Sequence, residues 1–341
     1  MNTEAGQAQS NLPHGNPAAK EPRRRFVVDD KIPYIRPYLE QAGDCVFLPG
    51  RAISADDVRQ ADTLVVRTRT KVDARLLEGS RVRQVVTATI GFDHLDTAWL
   101  EAQGIAWHNC PGCNAPSVAQ YVREAPHRCG FPEGGRGRTA GIVGLGHVGR
   151  AVRAALEKEG WQIRVSDPPL GLLDDLTSCD VITFHVPLTH DGDCPTCHMA
   201  DAAFFRTLCR RPLIVNAARG GVVDEEALLQ ALDTGAVSGA VIDCWEHEPD
   251  VNRQLLQRAL LATPHIAGYS ANGKAAATWQ TLRHIDPCGP WPASPAELLT
   301  EALGGSLPSL PPYDPTRDSE ALKAHPETFE SLRGNYPLRL E

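Results

Sequence analysis

Residues 139–149 read TAGIVGLGHVG, an apolar stretch followed by three glycines in the pattern GxGxxG. A lone GxGxxG is a weak signal, but here it follows a candidate strand and precedes a candidate helix. In that setting Gly144 permits a tight turn, Gly146 lets the backbone approach a pyrophosphate, and Gly149 lets the helix lie close to the sheet. The stretch therefore predicts a dinucleotide-binding fold, with the pyrophosphate at the N-terminus of the helix.

An aspartate stands where the next strand is expected to end. Asp167 comes 18 residues after Gly149 and closes the stretch 162–166. A carboxylate at this position accepts hydrogen bonds from the ribose hydroxyls and repels a 2′-phosphate, which favours NAD over NADP. The plainer alternative is a glycine turn followed by an unrelated surface aspartate.

Short apolar stretches separated by helical spacers continue outward from this motif in both directions. They lie at 26–30, 45–48, 63–66, 85–89, 162–166, 181–184, 213–215, 237–242 and 260–262. Strands that alternate with helices are typical of parallel sheets covered by helices on both faces. The predicted fold class is therefore α/β, and a chain of 341 residues is long enough for two such domains.

Two stretches interrupt the alternation and are predicted to be loops. Residues 123–138 contain two prolines and four glycines, and residues 284–312 are rich in proline. Both residue types disfavour the interior of a helix, so neither stretch is expected to hold one.

Charge and composition exclude several functional classes. The formal net charge of −8 argues against a broad surface for nucleic acid or anionic membranes. No apolar run approaches the ~20 residues of a membrane helix, and the polar residues 1–25 lack the apolar core of a signal peptide. The ten cysteines are then expected to be reduced thiols. We expect a cytoplasmic protein with a disordered tail over residues 1–25.

Three residues suited to acid–base chemistry each follow the end of a predicted strand: Arg219, Glu248 and His265. Ligands bind at that edge of an open α/β sheet, so we expect the three side chains to meet there. A histidine can take a proton near neutral pH, a carboxylate can orient its ring, and an arginine can hold a substrate carboxylate. Each alone has a plainer alternative, namely a surface arginine, a turn glutamate and a buried core histidine.

Two CxxC pairs could indicate a metal site or a haem attachment site. Cys110 and Cys113 form one pair, and Cys194 and Cys197 form the other, which His198 extends to the CxxCH pattern of c-type haem attachment. About 80 residues separate the pairs, more than the spacing of a zinc ribbon, and haem attachment would need export. We interpret both pairs as coincidence and predict no metal site.

The strings around Arg219, Glu248 and His265 resemble the signature of the D-isomer-specific 2-hydroxyacid dehydrogenase family. They are NAARGGVVD at 216–224, DCWEHEP at 243–249 and PHIAG at 264–268. Further segments are similar to the erythronate-4-phosphate dehydrogenases within that family, namely VDDKIPY at 28–34, VRTRTKV at 66–72, TATIGFDH at 87–94 and CPGCNA at 110–115. The resemblance runs from about residue 26 to 282.

This resemblance implies a flavodoxin-like substrate domain beside an NAD-binding Rossmann domain, with Arg219, Glu248 and His265 as the catalytic residues. It implies substrate contacts at Thr68, Thr89 and Tyr269. In addition to Gly144, Gly146 and Gly149, it implies NAD contacts at His147, Val148, Asp167, Ala217, Ala218, Asp243 and Gly268.

The implied reaction is the NAD-dependent oxidation of 4-phospho-D-erythronate to a 2-oxo acid, in the synthesis of vitamin B6. The alternatives are a dehydrogenase for another D-2-hydroxyacid, such as phosphoglycerate or glyoxylate/hydroxypyruvate, and a non-catalytic NAD-binding regulator. Charge alone suggests Arg67, Arg69 and Lys71 for the phosphate group, with a solvated basic strand as the alternative.

These observations predict four regions. A substrate domain covers 26–110 and takes back 270–285, an NAD-binding domain covers 111–269, and the tail is 1–25. Residues 286–341 are predicted to be a shortened C-terminal dimerisation region, so we expect a weakened homodimer. Members of the family carry a long apolar helix where the predicted loop 123–138 lies.

Overall fold

The structure is a computed structural model that describes residues 23–132 and 134–341. The predicted tail therefore lies, through residue 22, outside the described residues. Its last two residues do not belong to a tail, because the first strand begins at Arg24 rather than at Phe26.

The first five strands form one parallel sheet. They are β1 Arg24–Asp29, β2 Gly43–Leu48, β3 Thr63–Val66, β4 Gln84–Thr87 and β5 Ala106–His108. Their helices are α1 Arg36–Ala42, α2 Ala55–Val58, α3 Ala74–Leu77 and α4 Thr97–Ala102. The order β2-β1-β3-β4-β5 is that of flavodoxin-like sheets, as predicted for this part of the chain.

The later strands form a second sheet of seven strands. They are β6 Thr139–Val143, β7 Gln162–Asp167, β8 Leu172–Leu173, β9 Val181–Phe184, β10 Leu213–Asn216, β11 Gly239–Ile242 and β12 Leu261–Ala262. Helices α5 Ala115–Arg128, α6 His147–Lys158, α7 Ala202–Thr207, α8 Glu225–Thr234 and α9 Arg253–Arg258 accompany them. The order β12-β11-β10-β9-β6-β7-β8 is the Rossmann order, with only the short β8 antiparallel.

The α/β prediction is confirmed, and most strands lie where the apolar stretches placed them. Strands β3 and β9 have the predicted bounds, because each is a continuous buried run that is followed by a polar residue. Strand β11 begins at Gly239, two residues later than predicted.

The prediction that residues 123–138 hold no helix is wrong for the first six of them. Helix α5 continues to Arg128, and its residues Tyr121, Val122 and Ala125 are buried against Val152 of α6. Pro126 lies inside the last turn and removes one backbone hydrogen bond, but burial of this face outweighs that loss. The described residues from Cys129 to Arg138 are irregular, as predicted.

The prediction of a loop over residues 284–312 is also wrong in part. Helix α10, Ala271–Ile285, crosses back to the first sheet, and α11, Pro295–Ala302, packs against it. Ser294 caps α11, Pro295 occupies its first turn, and Leu298 and Leu299 are buried in the core of the first sheet. A proline at the first position of a helix is favourable, so proline content alone misleads here.

The last helices pack on the second sheet. Helix α12, Thr316–Ala324, and α13, Phe329–Gly334, bury Leu322 and Phe329 in its core. Residues 286–341 therefore contact both sheets, which brings α13 to the cleft between them. No helix in the described part of the chain is long and apolar enough to cross a membrane.

Candidate active site

A histidine and a glutamate form a close pair after β11 and β12. His265 Nδ1 lies 2.9 Å from both carboxylate oxygens of Glu248, Oε1 and Oε2. The side chains are 27% and 19% exposed, so the pair is partly shielded from water yet reachable. An imidazole held in this way by a carboxylate can act as a general base through its other ring nitrogen.

The backbone presents His265 in an uncommon conformation. Its φ of 56° lies in the left-handed region, which costs a residue other than glycine some free energy. Asp243, which is buried, holds the following backbone by accepting hydrogen bonds from the amides of Ile266 at 2.8 Å and Ala267 at 3.0 Å. It also accepts a bond from the hydroxyl of Thr263 at 2.6 Å. These bonds fix the loop that carries the histidine.

Asp243 was expected to contact NAD, but the structure engages its carboxylate with the protein's own loop. Burial raises its pKa, against the opposing effect of positive charge at His265 and of the hydrogen bonds it accepts. A contact between Asp243 and NAD stays a prediction.

Opposing effects act on the Glu248 carboxyl. Burial raises its pKa, but the hydrogen bond and positive charge of His265 lower it, as do the Trp245 amide and the charge of Arg333, so the net pKa is below the ordinary value. The Trp245 amide donates to Glu248 Oε1 at 3.1 Å, and Arg333 Nη1 lies 3.7 Å from Oε2. Glu248 is thus held as a carboxylate beside the imidazole.

Arg219 links the two sheets. It follows β10, and its Nη1 donates to the carbonyl of Ala218 at 2.8 Å. A Cβ placed on Gly91 would lie only 3.0 Å from Nη2 of Arg219, so the guanidinium reaches the loop after β4. That loop also carries Thr89, a predicted substrate contact. The geometry suits an arginine that holds a substrate carboxylate between the two sheets.

The three predicted substrate residues lie on different loops. Thr68 is exposed after β3, and Thr89 donates its hydroxyl to Gly91 O at 2.8 Å after β4. Tyr269 follows the histidine loop, and its hydroxyl accepts a hydrogen bond from Arg333 Nε at 3.0 Å.

The glycine-rich turn has the geometry that a pyrophosphate requires. Gly144 has φ of 89°, and a Cβ there would lie 2.7 Å from the carbonyl of His185. A Cβ at Gly149 would collide with Gly144 O, whereas Gly146 has nothing within 4 Å of its Cβ position. The first and third glycines are thus required by packing, and the second faces open space where a phosphate can approach. His147 and Val148 begin α6 beside that space.

Asp167 closes the turn from the side of β7. Its Oδ2 accepts a hydrogen bond from the Leu145 amide at 2.6 Å, which leaves Oδ1 for a ribose hydroxyl. The remaining predicted NAD contacts are placed by other loops. Ala217 and Ala218 follow β10, where the Ala218 amide is fixed by Asn216 Oδ1 at 3.2 Å, and Gly268 faces Asn114 so closely that a Cβ would clash.

In the described part of the chain, neither CxxC pair is joined by a third His, Cys, Asp or Glu ligand atom within mutual reach. Cys110 and Cys113 are buried, and burial raises their pKa values to about 11 and about 12. Within residues 23–132 and 134–341, the one group of three ligand atoms in mutual reach is Cys244, Glu248 and His265, within 4.8 Å. Burial raises the pKa of Cys244 well above its usual value, so the thiol stays protonated beside a pair already joined by a hydrogen bond.

Sequence reasoning missed Arg333, which reaches the site from α13. Its side chain is 22% exposed and touches both Glu248 and Tyr269. The sequence offers no signal for it, because Arg333 lies 64 residues after Tyr269 in a stretch with no recognisable motif. Lys274 of α10, whose Nζ lies 5.5 Å from the ring centre of Tyr269, was missed as well.

Comparison with known proteins identifies the family to which this chain belongs. Residues 123–267 match the family model described as D-isomer specific 2-hydroxyacid dehydrogenase, NAD binding domain. The chain is 45% identical to an erythronate-4-phosphate dehydrogenase of Bacteroides fragilis, over 93% of this chain and 97% of the relative. It is 37% identical to that of Porphyromonas gingivalis, over 92% of each.

Solved structures of lower identity share the fold. An NADPH-dependent glyoxylate/hydroxypyruvate reductase from Sinorhizobium meliloti has 26% identity and a TM-score of 0.64, over 77% of this chain and 94% of that chain. An NAD-dependent formate dehydrogenase from Staphylococcus aureus, at 20% identity and a TM-score of 0.59, covers 76% of this chain and 94% of its own.

Proposed function

The chain belongs to the erythronate-4-phosphate dehydrogenase family, and we propose that it oxidises 4-phospho-D-erythronate with NAD, in the synthesis of vitamin B6. The product is the 2-oxo acid (R)-3-hydroxy-2-oxo-4-phosphooxybutanoate. The observation that carries the proposal is the pairing of His265 with Glu248 at 2.9 Å, in a chain whose second sheet is an NAD-binding Rossmann domain.

The residues divide the chemistry between them. His265 takes the proton from the C2 hydroxyl, and Glu248 stabilises the resulting imidazolium. Arg219 holds the C1 carboxylate and polarises the C2 oxygen. NAD, when bound at the glycine-rich turn, would supply the hydride acceptor, so that the substrate would lose one proton and one hydride and become the ketone. The loop that Asp243 fixes keeps the histidine aimed at the substrate.

The choice of coenzyme follows from the turn and from Asp167. The open space at Gly146 would take the pyrophosphate, and the free Oδ1 of Asp167 would accept a ribose hydroxyl. A 2′-phosphate in the same place would meet the carboxylate charge, so NAD is favoured over NADP.

Substrate choice is open to a direct test against the alternatives. NADH formation is followed with 4-phospho-D-erythronate, D-3-phosphoglycerate and D-glycerate, the reduced form of hydroxypyruvate. We expect efficient turnover of the first alone. Turnover of either of the others at a similar kcat/KM would assign a different hydroxy acid, and NAD binding without any turnover would support a non-catalytic regulator.

We also propose a cytoplasmic homodimer. All ten cysteines are free, in keeping with a reducing compartment. Leu307, Leu310 and Leu338 of the C-terminal region are exposed, and apolar side chains there support pairing of subunits. Light scattering on the purified protein tests the dimer, and a mass equal to one chain at micromolar concentration would contradict it.

A further inference from the structure

Several cations gather around Tyr269, beside the catalytic pair. Arg333 Nε donates to the Tyr269 hydroxyl at 3.0 Å, with its guanidinium carbon 5.7 Å from the ring centre. Lys274 Nζ lies 5.5 Å from the same ring centre. A third cation, Arg67, is near enough to Lys274 for its charge to act on the lysine. These residues come from α13, α10 and the loop after β3, so the fold brings them together from distant parts of the chain.

Arg333 keeps most of its hydrogen-bonding capacity. Its nearest carboxylate oxygen, Oε2 of Glu248, is 3.7 Å from Nη1, which is beyond hydrogen-bond distance. Glu248 is already bonded to His265 and to the Trp245 amide. Only one of the five N–H groups of Arg333 therefore has a partner in the described part of the chain. A partly buried guanidinium with free donors is suited to an anionic ligand.

Lys274 is a cation that the described residues do not neutralise. The side chain is half-buried, and no carboxylate of the described residues lies within 4.0 Å of its ammonium. Burial lowers its pKa, and the positive charge of Arg67 lowers it further. Both effects disfavour the charged form, and a bound anion would reverse them.

The Arg67 guanidinium is held at its Nε by one carboxylate. Its Nε lies 3.3 Å from Oδ2 of Asp29, which is completely buried, while the arginine side chain is 31% exposed. It immediately precedes Thr68, a predicted substrate contact. The other two cations of that loop are engaged elsewhere, because Arg69 pairs with Glu330 and Lys71 lies 3.9 Å from Asp73. Of the three cations suggested by charge, Arg67 is the one whose charge acts on Lys274.

We propose that Arg333, Lys274 and Arg67 form an anion site around Tyr269 that binds the phosphate group of the substrate. This inference rests on the proposed function and identifies the residues that bind each end of the substrate. Arg219 takes the C1 carboxylate between the sheets, and the three cations take the phosphate at C4. Three positive charges face the two carboxylates of Glu248 and Asp29, which leaves one positive charge in excess to attract a phosphate monoester.

The test compares substrates with and without the phosphate. The test variants are Arg333→Met and Lys274→Met. Lys71→Met is the control, because Lys71 lies on the same loop as Arg67 and its side chain is 73% exposed. For each variant kcat/KM is measured with 4-phospho-D-erythronate and with D-erythronate. We expect the preference for the phosphorylated substrate to fall roughly tenfold to hundredfold in each test variant and to persist in the control.

Equal losses on both substrates would overturn the proposal, because they would show that Arg333 serves only as a counter-ion for Glu248. Unchanged preference in both test variants would overturn it too. Retained NAD binding shows that a variant is folded.

A binding measurement separates this inference from the proposed function. Inorganic phosphate is titrated calorimetrically into the NAD complex of the wild-type chain and of each variant. We expect binding that Arg333→Met and Lys274→Met weaken and Lys71→Met does not, even if the chain turns over some other phosphorylated acid. Absence of phosphate binding in the wild type, with erythronate phosphate still oxidised, would refute the anion site and leave the function intact.

Discussion

Glu248 meets His265 with both of its carboxylate oxygens, each 2.9 Å from Nδ1. This relationship commits one ring nitrogen to the carboxylate and, in the proposed reaction, leaves Nε2 for the substrate hydroxyl. The Trp245 amide and Arg333 fix the carboxylate, and Asp243 fixes the loop that carries the ring. The two groups proposed for proton transfer are therefore held in position by residues that lie as far apart in the sequence as 243 and 333.

Replacing His265 with asparagine removes the base and keeps a polar side chain. We expect kcat to fall by roughly a hundredfold to ten-thousandfold, because general base catalysis contributes that much. Coenzyme affinity, measured by calorimetry, should change little, since the glycine-rich turn is untouched. A variant that retains more than half of the wild-type kcat would show that another group takes the proton.

Glu248→Gln is expected to make the stability of the protein depend less on pH in the acidic range. The pKa of Glu248 is lowered in the folded chain relative to its ordinary value of 4.5. The carboxylate therefore stabilises the fold at pH values above 4.5, and this contribution disappears as the pH falls through the lower folded-state pKa. Tm of both proteins is measured between neutral and acidic pH. The difference in Tm should be largest near neutrality and shrink below pH 4.5, and a constant difference would contradict the assignment.

Asp167→Asn is expected to relax the choice of coenzyme. Asparagine retains an oxygen for the Leu145 amide, which now donates to Asp167 at 2.6 Å, but removes the negative charge that repels a 2′-phosphate. The ratio of kcat/KM for NAD over NADP should fall by about tenfold or more. If the ratio is unchanged, Asp167 does not face the ribose.

The sequence is informative where neighbouring residues decide the structure. The apolar run Val181–Phe184 and the glycines from Gly144 to Gly149 define strands and a turn through local rules, and the structure agrees with both. The ends of β11 and β12 likewise place Glu248 and His265 at one edge of the sheet. These are features whose physical cause lies within a few residues.

Features that depend on distant contacts escape the sequence. Pro126 alone predicts the end of a helix, but the buried side chains around it sustain α5 through Arg128 against α6. Arg333 reaches Tyr269 only because α12 and α13 dock on the second sheet, which no local pattern announces. Helix propensity determines the structure of such segments only where tertiary packing does not override it.

The packing of α11 gives a stability test of the corrected C-terminal region. Leu298 is completely buried there, so Leu298→Ala should lower the free energy of unfolding by roughly 2–5 kcal/mol. Leu173 of β8, which is 72% exposed, provides the control, and Leu173→Ala should change the free energy by less than about 0.5 kcal/mol. Chemical denaturation measures both. Similar small effects for the two would mean that residues 284–312 are a loop after all.

The proposed reaction transfers a hydride from C2 of a phosphorylated hydroxy acid to NAD. The most direct measurement uses 4-phospho-D-erythronate with deuterium at C2 and follows the label by mass spectrometry. We predict one deuterium in the NADH that forms, an unlabelled 2-oxo acid as the product, and formation of both at least about a hundredfold more slowly in His265→Asn. NADH without deuterium, or no NADH from a chain that binds both ligands, would contradict the proposed reaction.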